Sequence, residues 1–454
     1  MTFVKCIGGG IMPKVYKLIV NAVNKVSEKI DIELIYQLMN KNKGTFTEIL
    51  VTYIIATVTN VIAAREYFQF GEFVTEILNI SNFSIMLMWL GIVMLALFRI
   101  IYYILEKFVI RIHTGYKLSK ILMDNTDDIF SEIKDYGGYS WGKNKTLMCC
   151  DNLIKGWTSK QIVIDCVTSH KKKSSEWLSD NNWEQEYIEY MSGSSAEKII
   201  SHGNNNQRWM IEDIQQNYSK NDKKIFISLQ KTDYCTTNFV WNKFRSKDEH
   251  SKKLVQQVFS IKKGSYLPHS FCLHLVIVTS DKKVVTTVIS NNKSNDYAGS
   301  IAVTLGEQIE DTDFNNNTGF CDNFVERWVI RALNEEFGID ASQYEYITGK
   351  DSISVLAFDF EGDIYNISLM TVLNLTVTYD QFAREVNRNP EKDKEYDEMK
   401  GLNLKKIPYI LWLGDKLENG KYVYHPSSYL RLYLTYIHYY GIKKFVKEYE
   451  KAGK

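Results

Sequence analysis

The sequence predicts an α+β protein: an N-terminal two-helix transmembrane hairpin followed by a C-terminal α/β/α sandwich. Three observations carry this expectation. Two apolar runs, Ile49–Ala64 and Ile77–Phe98, stand close together near the start, and the second contains no charged residue. From Ile225 onward, short β-branched runs alternate with polar turns, the pattern of paired strands. Between those strands lies FVERWVIRALNEEF, whose apolar residues recur at helical spacing.

The chain is 454 residues long, enough for two or three domains. Its 55 basic and 54 acidic residues nearly cancel, which argues against a broad nucleic-acid-binding surface. The seven cysteines form no CxxC pair and no His-Cys cluster, so neither a disulfide framework nor a zinc site is expected. Reduced thiols facing the cytosol fit this usage.

Residues 1–44 read as a cytosolic amphipathic helix, with Val15, Leu18, Ile19, Ala22 and Val26 on one face. Residues 45–110 hold the two membrane helices, at about 46–65 and 77–98, since about 20 apolar residues cross the hydrocarbon core. Lys25, Lys29, Lys41 and Lys43 precede the pair, and Arg99, Lys107, Arg111, Lys117 and Lys120 follow it. Only Arg65 lies between as a cation, so the positive-inside rule places both termini in the cytoplasm of a multi-pass protein. The lipid bilayer is the implied partner. Asn60 and the threonines beside it favour helix self-association, hence a homo-oligomer.

Residues 111–224 are a mixed, partly helical connection, with NYSKNDKK as its boundary. Residues 225–454 form the strand-rich domain. CLHLVIVT and VVTTVIS flank SDKK as one hairpin, and SISVLAFDF with IYNISLMTVLNLTV makes a second. AGSIAVTLGE and IPYILWLG read as further strands. The central helix runs from about Phe324 to Phe337 and ends at Gly338, and PSSYLRLYLTYIHYY closes the domain as a helix.

The stretch RALNEEFGI, Arg331–Ile339, resembles the end of the NUDIX box, Arg-Glu-apolar-x-Glu-Glu-x-Gly-apolar. In that family the helical glutamates bind Mg²⁺ or Mn²⁺ against a pyrophosphate, because residues at i, i+3 and i+4 share a helix face and carboxylates suit hard divalent cations. This chain keeps Arg331, Glu335, Glu336 and Gly338 but carries Ala332 in place of the first glutamate. Counted back without a gap, the upstream box glutamate falls on Asn323 and the box glycine on Asn317. With an inserted loop, Gly306 is the equivalent glycine, and Glu307 and Glu310 approach the site from that loop. Arg331, Glu335, Glu336 and Gly306 are therefore the expected nucleotide-binding positions, with Glu335 and Glu336 as metal ligands and Mg²⁺ or Mn²⁺ as the ion.

The C-terminal half as a whole resembles the SMODS-associated NUDIX domain, through LQKTDYCTTN, the first hairpin, GEQIE, RALNEEFG and HPSSYLRLYLTY. That resemblance implies a NUDIX-like domain that senses a cyclic or oligomeric nucleotide second messenger made by a nucleotidyltransferase in bacterial antiphage defence. Joined to membrane helices, it implies an inner-membrane effector that assembles on signal binding and perturbs the bilayer. The alternative is a membrane-tethered, metal-dependent NUDIX pyrophosphohydrolase of a nucleoside diphosphate derivative. Loss of the glutamate at Ala332 favours detection over catalysis.

Overall fold

A computed structural model describes residues 74–126, 139–168, 176–218, 223–245, 267–290, 297–314, 321, 323–362, 364–388, 396–414 and 423–454. Residues 11–120 and 121–454 belong to two compact units. The N-terminal amphipathic helix and the first apolar span, 46–65, lie outside the described residues.

In the first unit a single helix of 51 residues, α1 (Val74–Asp124), contains the run Ile77–Phe98. Of that run only Trp89 and residues 91–98 have described side chains. Among the described residues no helix is long and apolar enough to cross a membrane. Ile92, Val93, Met94, Leu97, Phe98, Ile100, Tyr103, Ile104 and Phe108 are all exposed. At about 100° per residue they cover roughly 240° of the helix circumference.

The second unit is α+β. Its strands are β1 (Ser140–Trp141), β2 (Asn144–Cys149), β3 (Trp157–Thr158), β4 (Ile162–Thr168), β5 (Gln207–Tyr218), β6 (Lys223–Asp233), β7 (Ser270–Val278), β8 (Lys283–Ile289), β9 (Ile301–Val303), β10 (Leu305–Gln308), β11 (Thr348–Glu361), β12 (Asn366–Leu375) and β13 (Tyr396–Asn403). Its helices are α2 (Glu176–Asp180), α3 (Glu184–Ser192), α4 (Ser194–Ser201), α5 (Tyr234–Arg245), α6 (Phe324–Phe337), α7 (Ala341–Ile347), α8 (Tyr379–Val386), α9 (Ile407–Leu413), α10 (Pro426–Tyr440) and α11 (Ile442–Ala452).

The large sheet runs β1-β2-β11-β12-β7-β8-β13, and a second sheet runs β4-β6-β5. The pairing of β7 with β12 is parallel, from Ser270↔Asn366 to Val278↔Asn374. Alternate residues of these strands turn to opposite faces. Phe271, Leu273, Leu275 and Ile277 join Trp328, Val325, Val329 and Leu333 of α6 in the core on one face. Residues His274, Asp359 and Ser368 face the other side, toward α10.

Strand β8 meets β7 only at Val278↔Val284, and β10 then takes its place against Cys272–Leu275. Thr304, 1% exposed, stands where the two strands separate. Its hydroxyl donates to the Val285 carbonyl and accepts from the Ile277 amide at 3.0 Å. This corner breaks AGSIAVTLGE into β9 and β10 rather than one strand. Thr304→Val removes both bonds and leaves two buried backbone groups unpaired, so urea unfolding is expected to show a loss of about 2–4 kcal/mol.

Three further differences have physical reasons. IPYILWLG is the helix α9, not a strand: Pro408 sits in the first turn, where it sacrifices no hydrogen bond, and Ile407 and Leu411 are buried one turn apart. The boundary expected at residue 224 falls inside β6, which pairs in parallel with β4 and antiparallel with β5 from the preceding segment. Strand β2 also enters the large sheet beside β11. Such long-range pairing has no local signature in the sequence.

His269 joins the two sheets. Its Nε2 accepts from the Ile211 amide at 3.1 Å, and Nδ1 donates to the Leu267 carbonyl at 2.7 Å. Burial holds its pKa down at about 4 despite the bond to Leu267. Protonation would place a second N–H against the Ile211 N–H. Because the folded value lies below the unfolded one, this group's stabilisation is complete above pH 6.5 and falls as pH drops toward 4. The loss is about 3 kcal/mol over that window, and His269→Gln should remove that part of the pH slope in chemical unfolding.

Candidate functional site

Helix α6 is built by its apolar stripe and ended by Gly338 at φ 68°, a left-handed conformation that favours glycine. The Gly338 amide donates to Asn334 and the Ile339 amide to Leu333. Phe324, Val325, Trp328, Val329, Ala332, Leu333 and Phe337 are buried. Ala332 is 0% exposed and belongs to the core beside Trp328 and Val329. The position that differs from the box is therefore an interior packing position.

Arg331 emerges next to it and is fully engaged. Its Nε and Nη2 donate to the two oxygens of Asp313, each at 2.9 Å. Nη2 also donates to the Gln308 carbonyl. Nη1 donates to Glu335 Oε2 at 2.7 Å and lies 3.5 Å from Glu307 and 3.8 Å from Glu310. Strand β10 and the loop after it thus bring Glu307 and Glu310 to the helix. Burial raises the pKa of Glu307 and of Asp313, although Arg331 opposes the rise at both. Burial works against Arg331, but Asp313 outweighs it and raises the guanidinium pKa.

The same loop is pinned to the second sheet. Asp311 accepts from Trp209 Nε1 at 2.7 Å and Gln207 Nε2 at 3.1 Å, and Lys231 lies 3.7 Å away. Arg208, next along β5, holds its guanidinium 5.4 Å from the Tyr234 ring centroid. Its Nε is buried without a hydrogen-bond partner among the described residues. Burial lowers its pKa, while Cys272, Tyr234, Glu307 and Glu310 act to raise it. Arg208 is thus a cation in the field of the carboxylate cluster without being tied to it.

The expected site residues separate. Glu335 faces Arg331, with its side chain 45% exposed. Glu336 is half-buried on another part of the helix surface, where, after burial, it is the next cause raising the Tyr396 hydroxyl to about 12. Gly306 faces the opposite side of the sheet: a Cβ there would stand 3.6 Å from Arg431 Nη2 and 3.7 Å from His274 Cδ2. Asn323 precedes the helix without capping it by a side-chain bond, and Asn317 lies outside the described residues.

Mg²⁺ or Mn²⁺ would draw on the carboxylates of Glu307, Glu310, Asp313 and Glu335, a hard-oxygen set. The Arg331 guanidinium occupies the middle of that set, and Glu336 is turned away from it. Among the described residues no group of three acidic, histidine or cysteine side chains is placed to hold a metal ion. The arrangement as it stands does not fit a divalent ion.

A second polar cluster, on the α10 face, escaped the sequence reading. His274 Nδ1 lies 3.4 Å from Asp359 and Nε2 lies 3.2 Å from Glu361, all three 2% exposed or less. Ser368 Oγ is 3.1 Å from the same Nε2, and Asn144 donates to Asp359 at 3.2 Å. Arg431 donates to the carbonyls of Val303 and Leu305 and to Ser427. His425 lies 3.6 Å from Glu361. Burial opposes charge on Glu361, but His274 and, behind it, His425 and Arg431 hold its pKa below the usual carboxylate range. Burial and Arg431 oppose protonation of His274, yet Asp359 and Glu361 outweigh them and its pKa is raised. Burial lowers His425 to about 4. Two carboxylates are thus balanced by one imidazolium and one guanidinium, the condition under which buried charge is tolerated. The available signal was polar residues at alternate positions of apolar strands, His274 in CLHLVIVT and Asp359 and Glu361 in LAFDFEGD.

No protein-family model matches the chain, and no curated protein matches it.

Proposed function

We propose that this chain is a membrane-attached effector whose degenerate NUDIX-like domain senses a cyclic or oligomeric nucleotide second messenger. Signal binding drives assembly of the N-terminal apolar segments, which perturb the bacterial inner membrane in antiphage defence. The messenger comes from a partner nucleotidyltransferase, and both termini are cytoplasmic. The observation that carries this reading is Ala332, a core residue where the box places a metal-binding glutamate. With Arg331 committed to Asp313 and Glu335, the helix retains the form of the box without its catalytic arrangement.

The exposed apolar surface of α1 supports the membrane half of the reading. A helix apolar over most of its circumference is normally covered, by lipid or by other helices. A ligand shifts assembly only through different affinity for the assembled and separate states, and dimerising sensor domains raise the local concentration of the attached segments.

The test is calorimetric titration of the detergent-solubilised full chain with cyclic dinucleotides, cyclic trinucleotides and linear oligonucleotides. Binding of one class without its breakdown is the expected result, and no binding by any class sinks the proposal. Arg208→Gln should weaken that binding about 10- to 100-fold, the worth of one charge-assisted hydrogen bond to phosphate, with little change in unfolding.

A second reading, metal-dependent hydrolysis of a nucleoside diphosphate derivative, needs Arg331 to leave the carboxylates of Glu307, Asp313 and Glu335 so that a metal ion can take its place. It requires Mg²⁺- or Mn²⁺-dependent release of a mononucleotide that disappears in Glu335→Gln and Glu336→Gln.

A further inference from the structure

Helix α11 buries Phe445 and Val446 and turns the rest of its surface outward. Lys443, Lys444, Lys447 and Lys451 are all exposed. At about 100° per residue they fall within roughly 100° of circumference, opposite the buried pair. Lys444 Nζ stands 4.1 Å from the Tyr440 ring centroid, and Lys282 Nζ stands 4.7 Å from that of Tyr439, its neighbour. The Lys282 carbonyl accepts from the Leu404 amide at 3.1 Å, which brings exposed Lys405 and Lys406 beside it. That turn leads into α9, which packs on α11.

None of these seven lysines has a carboxylate within 4 Å among the described residues. Nearby Lys283 and Lys400 do, on Asp281 and Glu398. A chain of net charge +1 has thus concentrated unpaired cations and two tyrosines on one face.

We propose that this face docks on an anionic bilayer surface. The proposal rests on the membrane attachment argued above and adds which face of the folded domain meets lipid headgroups. Ammonium groups on long stems with tyrosines between them suit the headgroup layer, where aromatic rings and lysines both reside. Each lysine close to an anionic leaflet multiplies partitioning on the order of fivefold. Several acting together hold a tethered domain flat against the surface, and salt weakens that hold.

The full chain is reconstituted with vesicles of phosphatidylcholine alone or with phosphatidylglycerol added, and amine labelling of each lysine is read by mass spectrometry. The chain should float with both vesicle types. Labelling of Lys443, Lys444, Lys447 and Lys451 should fall several-fold only with phosphatidylglycerol and recover in high salt. Exposed Lys198 and Lys350 should not change. The variant with these four α11 lysines changed to glutamine should float equally and lose the lipid-dependent protection of Lys282 and Lys406.

Equal labelling in the two vesicles overturns the docking face while leaving attachment intact. Flotation only with phosphatidylglycerol, reversed by salt, supports the face and sinks the spanning helices. No flotation with either sinks both. Protection by a single-stranded oligonucleotide, absent with phosphatidylglycerol, assigns the face to nucleic acid and overturns the proposal.

Discussion

Ala332→Glu, which completes the box motif in sequence, should unfold the domain rather than create an enzyme. The side chain at this position is surrounded by Trp328, Val329 and the core face of the large sheet. A carboxylate there must either ionise without a partner in an apolar interior or stay protonated at a cost set by its raised pKa. It also adds volume to a packed site. Together these exceed about 4 kcal/mol, a large share of the 5–15 kcal/mol that stabilises a typical domain. Urea denaturation monitored by tryptophan fluorescence checks this directly. Near-native stability of the variant would show that α6 can rotate this position outward, and the reading of a lost catalytic acid would fail.

Arg331→Met should be nearly as damaging, for an electrostatic reason. It strips Asp313, 1% exposed, of both guanidinium bonds and leaves it among Glu307, Glu310 and Glu335. Breaking a buried pair from one side costs about 3–5 kcal/mol because the remaining charge is uncompensated. Asp313 then binds a proton at higher pH than in the parent, so the variant should regain part of its stability as pH falls toward 5. The double variant Arg331→Met, Asp313→Asn should recover much of the loss at neutral pH. A small single-variant effect would mean that Arg331 is free to take a ligand phosphate, as the sequence resemblance implied.

Elements with a strong local period were legible in the sequence. Helix α6 appears with the bounds its apolar stripe and Gly338 indicate, and β7, β8, β11 and β12 lie where β-branched runs placed them. Strand β13, YDEMKGLN, was not legible because only Tyr396 of its eight residues is buried, and an edge strand with little burial carries no alternation. Helix α9 misled because seven apolar-rich residues satisfy strand and helix alike. The i,i+4 relation of Arg331 and Glu335 was visible, but the grip of Asp313 depends on how the loop between β10 and α6 folds back. The His274 cluster joins strands 87 positions apart at Glu361, a closeness that only the sheet order creates.

Four residues, Leu305–Gln308, separate the two charged clusters. Gly306 is the space beside Arg431 and His274, and Glu307 reaches Arg331 on the far side. Successive residues of a strand exchange faces when pairing slips by one. A slip one way would push the Glu307 carboxylate against the balanced ions around His274, and a slip the other way would present Arg331 with a glycine. The segment is therefore proofread from two sides at once, and only one threading of it leaves both groups of charges matched.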